Sequence, residues 1–117
     1  MTHDELATYL ESVGFTIETL EAGGPPATAS FLVIRDFEVR VGTKAGQKYE
    51  IAVQMSTAVP YVLPPAIHVR PHAVTMGSSA SQGSPLGPDW QYLSRVLRVT
   101  PTPANVVAHL HSIFGEL

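Results

Sequence analysis

The chain has 117 residues, with 7 Lys and Arg against 10 Asp and Glu, 5 His and no Cys, for a formal net charge of -3. A hydrophobic fraction of 44% with 15% charged residues indicates one packed domain over residues 1–117 and excludes a solvated, disordered chain. The missing cysteine excludes a disulfide framework, a thiolate metal site and a cysteine nucleophile, and so few, scattered cations argue against nucleic acid as a partner.

Met1–Glu5 lacks the basic and apolar regions of a leader, and apolar runs such as Phe31–Ile34 fall far short of the roughly 20 residues that span a bilayer. A cytoplasmic protein without membrane contact is expected. Residues 3–13 read as an amphipathic helix with Leu6, Tyr9, Leu10 and Val13 on one face, a Thr2/Glu5 capping box before it and Gly14 as its stop. From Phe15 the period changes to two through Ile17 and Leu20, until AGGPP (22–26) breaks the strand. Residues 29–42 form a longer strand, apolar throughout its first half and alternating Phe37, Val39, Val41 against Glu38 and Arg40 in its second. A hairpin loop at 43–47, containing Gly46, leads to a third strand at 48–55, and Ala66–Arg70 makes a fourth.

Between these last two strands, VPYVLPP (59–65) reads as a stiff extended loop, since each proline removes a ladder donor. Residues 71–88 carry no charge and are rich in Gly and Ser, as a long functional or mobile loop would be. Trp90–Arg98 is expected to be a short helix with Trp90, Leu93 and Leu97 on one side. Thr102-Pro103 caps a last helix over 103–115 whose apolar face includes Val106, Val107, Leu110, Ile113 and Phe114. The expected fold class is α+β: N-terminal helix, four-stranded antiparallel meander, long loop, C-terminal helices.

The stretch KAGQKYEIAVQMSTAVPYVLPPAIHVRPH (44–72) resembles the hairpin, third strand, proline loop, fourth strand and His-Pro-Asn turn of the ubiquitin-conjugating-enzyme family. Leu86 and Trp90 stand where that family has a leucine and a tryptophan after its active-site segment, and LGPDWQYLSR (86–95) is similar to its bacterial relatives. The chain departs from the pattern at several points. One extra residue separates the prolines in Pro60-Tyr61-Val62-Leu63-Pro64-Pro65, and Arg70-Pro71-His72-Ala73 lacks the asparagine that in the family helps stabilise an oxyanion. Counting from His72 or back from Trp90 places the family's catalytic cysteine near Ser81 or Gln82, where no cysteine stands. Thioester transfer needs a nucleophile that ionises near neutral pH and leaves readily, and an unactivated serine does neither.

Ser78, Ser79, Ser81 and Ser84 could supply a nucleophile with His72 as base and Asp89 as orienting group, against the plainer reading of a Ser-rich loop without a nucleophile elbow. His68 and His72 fall on one strand face but lack a third ligand, and His109 and His111 diverge on a helix, so no metal or cofactor is expected. The proline loop stiffens the fold and also offers Tyr61 and Val62 as an apolar ridge. Trp90 reads as a core anchor. The functional expectation is a non-catalytic domain that binds a protein or peptide, as cysteine-lacking relatives of the family bind ubiquitin-like proteins. Its binding residues are expected to be Pro60, Tyr61, Val62, Pro64, Pro65, His72 and Trp90. The alternatives are a secretion- or folding-chaperone-like adaptor, a homodimer through the 103–117 helix, and an acyl-transfer enzyme using Ser81 and His72.

Overall fold

Helix α1 (His3–Ser12) buries Leu6 and Leu10, four residues apart on one face, and places Asp4 and Glu5 in its first turn, where carboxylates favour the helix dipole. Its end is fixed by backbone bonds from Gly14 N–H to the Glu11 carbonyl (3.1 Å) and from Phe15 N–H to the Leu10 carbonyl (3.0 Å). That paired closure needs a residue in the left-handed region, and Gly14 supplies it at φ 102°. The computed structural model describes residues 3–22, 29–54, 66–71, 81–84, 86–94 and 102–115. Beyond α1 these form β1 (Ile17–Ala22), β2 (Ala29–Glu38), β3 (Lys48–Gln54), β4 (Ala66–Arg70), β5 (Ser81–Ser84), β6 (Gly87–Ser94) and α2 (Pro103–Gly115).

The strands make one antiparallel sheet in the order β1-β2-β3-β4-β6-β5. Both helices serve one face of it. There Leu32, Ile34 and Phe37 of β2, Tyr49, Ile51 and Val53 of β3, Ile67 and Val69 of β4 and Leu93 of β6 join the helices' Leu6, Leu10, Val106, Leu110, Ile113 and Phe114 in one core. A smaller cluster of Phe31, Val33, Ala52 and Trp90 lies on the opposite face, flanked by Leu20 and Leu86. Strands buried on both faces read as unbroken apolar runs, which explains Phe31–Ile34. Helix α2 begins as its sequence dictates, with the Asn105 N–H donating to Thr102 Oγ1 at 3.2 Å and Pro103 at the first helical position.

One irregularity sets the geometry of β2. Ile34 pairs with Ile51 and Phe37 with Tyr49, so three steps along β2 match two along β3. The extra residue, a β-bulge at Arg35–Asp36, returns Phe37 to the same face as Ile34. Phe37 is fully buried, with ring centroids 5.7 Å from Phe15, 5.7 Å from Phe114 and 4.8 Å from His111.

The sequence expectations need five corrections. The sheet has six strands among the described residues, not four, and β6 rather than β5 follows β4 in space, so the meander ends at β4. Residues 90–94, expected to be helical, belong to β6, where Trp90, Gln91 and Leu93 are buried and Tyr92 half-buried, while 95–98 lie outside the described residues. A strand sandwiched on both faces shows no alternation, and its apolar spacing mimicked a helix. The expected long loop contains β5, hairpinned onto β6. Of the multiple C-terminal helices expected, one, α2, lies among the described residues. Val13 and Val41, expected inward, are 51% and 48% exposed.

Gly42 and Gly46 separate two causes of glycine preference. Both adopt positive φ, at 79° and 89°, yet a Cβ on Gly42 would stand 2.9 Å from the Phe114 carbonyl oxygen while one on Gly46 meets nothing within 4 Å. Gly46→Ala should cost roughly 1–2 kcal/mol for the left-handed backbone, and Gly42→Ala clearly more because α2 must shift as well. Chemical denaturation of the two variants measures the difference.

Candidate functional site

Of the binding residues expected from sequence, Trp90 lies among those described, whereas Pro60, Tyr61, Val62, Pro64, Pro65 and His72 lie outside them. Ser81 stands in β5, paired across the ladder with Leu93, and Gln82 with Tyr92, so the two positions counted out for a nucleophile belong to a strand. Asp89 is exposed in β6, and Ser78 and Ser79 are again outside the described residues. Of the constellation of Ser81, His72 and Asp89, His72 lies outside the described residues.

Around Trp90 the second face of the sheet carries a row of charges. Arg35 pairs with Glu18 and Glu50, and Arg70 donates to Glu50 Oε1 from Nη2 at 2.6 Å and from Nε at 3.0 Å. The Arg70 guanidinium lies 4.8 Å from the centre of the Trp90 ring, within the range of a cation–π contact. Partial burial pushes the Glu50 carboxyl up, but the hydrogen bonds from Arg35 and Arg70 outweigh it and hold the group below its ordinary value. The Arg35 hydrogen bond likewise lowers Glu18 and, with that to Glu50, raises Arg35. Each cation here is matched to carboxylates, so the row reads as a clasp across β1, β2, β3 and β4. Beside it, His68 is 4% exposed, with its ring 5.0 Å from Phe31 and 5.4 Å from Tyr92, both edge-on. Burial pushes its pKa down to about 4, so it is neutral at pH 7.

The feature that sequence reasoning missed is a cleft of about 370 Å³ at the opposite corner. Helix α1 contributes Tyr9, and Val13 and Gly14 follow from its end. Phe15 comes from the lead into β1, Val107 and His111 from α2, and Asp36, Glu38 and Arg40 from β2 and its continuation. The cleft exists because β2 outruns β1. Their pairing ends at Ile17 with Ile34, and the last ties are Arg35 N–H to the Thr16 carbonyl (3.0 Å) and Thr16 N–H to Asp36 Oδ1 (3.2 Å).

Beyond that point β2 has β3 on one side alone. Val39 donates to the Gln47 carbonyl at 2.9 Å and accepts from Gly46 N–H at 2.8 Å, so both its polar groups turn toward the hairpin. Backbone groups of an extended chain turn alternately to its two sides, so those of Glu38 and Arg40 turn toward the flank that β1 vacates. Among the described residues the Arg40 N–H, which lies past the end of β2, makes no backbone hydrogen bond. The floor is apolar: Val13 is half exposed, and Phe15 and Val107 are partly buried against the core. His111 is half-buried against Phe37, and burial together with the nearby Arg40 lowers its pKa. The rim carries two carboxylates and one guanidinium, and α1 ends there with no basic residue in its last turn.

Comparison with protein-family models, with curated proteins and with solved structures gives no match. Among the described residues no helix is long and apolar enough to cross a membrane, and no group of three or more His, Asp or Glu side chains is placed to hold a metal ion.

The burial of His68 fixes a pH dependence. With a pKa of about 4 in the fold and about 6.5 in the unfolded chain, His68 binds its proton more readily when unfolded. Its neutral form therefore adds stability that is fully present above pH 6.5 and is lost as pH falls toward 4, by on the order of 3 kcal/mol at most. Replacing His68 with Phe should flatten the stability profile between pH 4 and 6.5, measured by urea denaturation at each pH.

Proposed function

We propose that the chain is a non-catalytic interaction domain, built on a ubiquitin-conjugating-enzyme-like scaffold, that binds a protein or peptide partner without forming a covalent bond. The observation that carries this reading is the cleft at the β2 edge. It offers a half-exposed valine and partly buried aromatic and aliphatic surface on its floor, with charged groups on its rim. Pockets of a few hundred Å³ with an apolar floor and polar groups at the rim to orient an occupant suit an anchoring side chain. The sequence adds the second support. It retains the helix, the meander of β1 to β4 and the Trp90 position of the resemblance, yet it contains no cysteine to carry a thioester.

The reading is tested by two-dimensional NMR titration of the ¹⁵N-labelled protein with ubiquitin-like proteins encoded beside its gene. Reversible shifts centred on Val13, Phe15 and Val107, with no adduct surviving denaturing electrophoresis, are expected. Val13→Ser should weaken binding several-fold, since the loss of a partly covered aliphatic side chain costs about 1 kcal/mol. A covalent adduct, or no shift at any saturation, would remove the reading.

A further inference from the structure

Resting on that reading, we infer that the cleft takes an extended polypeptide segment, which adds as a strand along residues 36–40 and carries an aliphatic or aromatic side chain next to a Lys or Arg. Three observations converge on this occupant. The first is the backbone. Because Val39 turns both its polar groups to the hairpin, the N–H and C=O groups of Glu38 and Arg40 turn to the flank that β1 leaves at Ile17, and among the described residues the Arg40 N–H makes no backbone hydrogen bond. An open edge of this kind is the template for strand addition, in which main-chain hydrogen bonds supply affinity.

The second observation is the side-chain period. Residues of an added strand point alternately to the two sheet faces. On the helix-bearing face they meet Val13, Phe15 and Val107, an apolar floor that leaves Val13 51% exposed. Between those anchors they meet Glu38 and Arg40, which alternate with buried Phe37 and Val39 and stand on the rim of the same cleft.

The third is charge. Asp36, Glu38 and the carbonyl end of α1, whose last turn contains no basic residue, make the near rim negative. A cation beside the apolar anchor complements it. Arg40 stands one alternate position further along, so the complementary segment carries a neutral or acidic residue there and is not uniformly basic. Edge addition thus supplies affinity, while the anchor and the cation supply selectivity.

The test uses capped heptapeptides and the full chain labelled with ¹⁵N. The probe is Thr-Val-Lys-Leu-Thr-Val-Ser, compared with the same peptide carrying Glu for Lys, with Ser for Leu, and with alternate backbone nitrogens methylated. The parent peptide should shift the amides of Val13, Phe15, Glu38 and Arg40. Each altered peptide should bind about tenfold more weakly or worse. Glu38→Lys, at an exposed position, should reverse the preference between the Lys and Glu peptides while leaving the spectrum folded. Equal binding of the Glu peptide, indifference to methylation, shifts confined to other surfaces, or no shift at millimolar peptide would each overturn the inference. Those outcomes leave the interaction reading to the titration with protein partners, which decides it separately.

Discussion

The extra residue at Arg35–Asp36 is the constraint on which the remaining geometry depends. Without it, the pairing of Ile34 with Ile51 would continue in step and bring Asp36 opposite Tyr49, directing a carboxylate at the helices and Phe37 away from them. With it, Phe37 enters the core between Phe15, Phe114 and His111, so the lead into β1 and helix α2 pack on one ring. Aromatic pairs of this kind contribute about 0.5–1.5 kcal/mol each beyond their burial. The bulge falls where the β1–β2 ladder stops, and the cleft lies beside it.

The two faces of the sheet then carry different tasks. The helix face holds most of the apolar core, and the end of α2 passes so close to Gly42 that a side chain there would meet the Phe114 carbonyl. The other face holds the smaller cluster around Trp90 and the charge row from Glu18 to Arg70. In that row each arginine is engaged by carboxylates while remaining partly open to solvent, an arrangement that ties strands together at modest energetic gain. Its charges are satisfied within the fold. The rim of the cleft differs: Glu38 and Arg40 are exposed, and their backbone donors face outward.

Local chemistry made the elements with strong signals legible in the sequence. Gly14 ended α1 and Thr102 with Pro103 began α2, because caps depend on the identity of one or two residues. The alternation in KYEIAVQ gave β3, with Tyr49, Ile51 and Val53 on the core face as expected. Two strands were not legible. β5, SQGS, contains no apolar residue to mark a face, and β6 is buried on both faces at Trp90, Gln91 and Leu93. The cleft was invisible for another reason: Tyr9, Val13, Phe15, Glu38, Val107 and His111 come from four separate segments that only the tertiary fold brings together. Val13 has the right period for the core face of α1, yet it lies at the helix end, beyond the reach of α2's packing, and stays half exposed.

On the flank that β1 vacates, β2 presents an open edge at Glu38 and Arg40, and amide hydrogen exchange of the free protein measures it. Val39 N–H, bonded to the Gln47 carbonyl at 2.9 Å, should be protected, while the Glu38 and Arg40 amides on either side should exchange near the rate of an open chain. That alternation of slow and fast amides along three consecutive residues is the expected result. Protection of Glu38 and Arg40 equal to that of Val39 would contradict it, because the edge would then be paired and the cleft closed to an added strand.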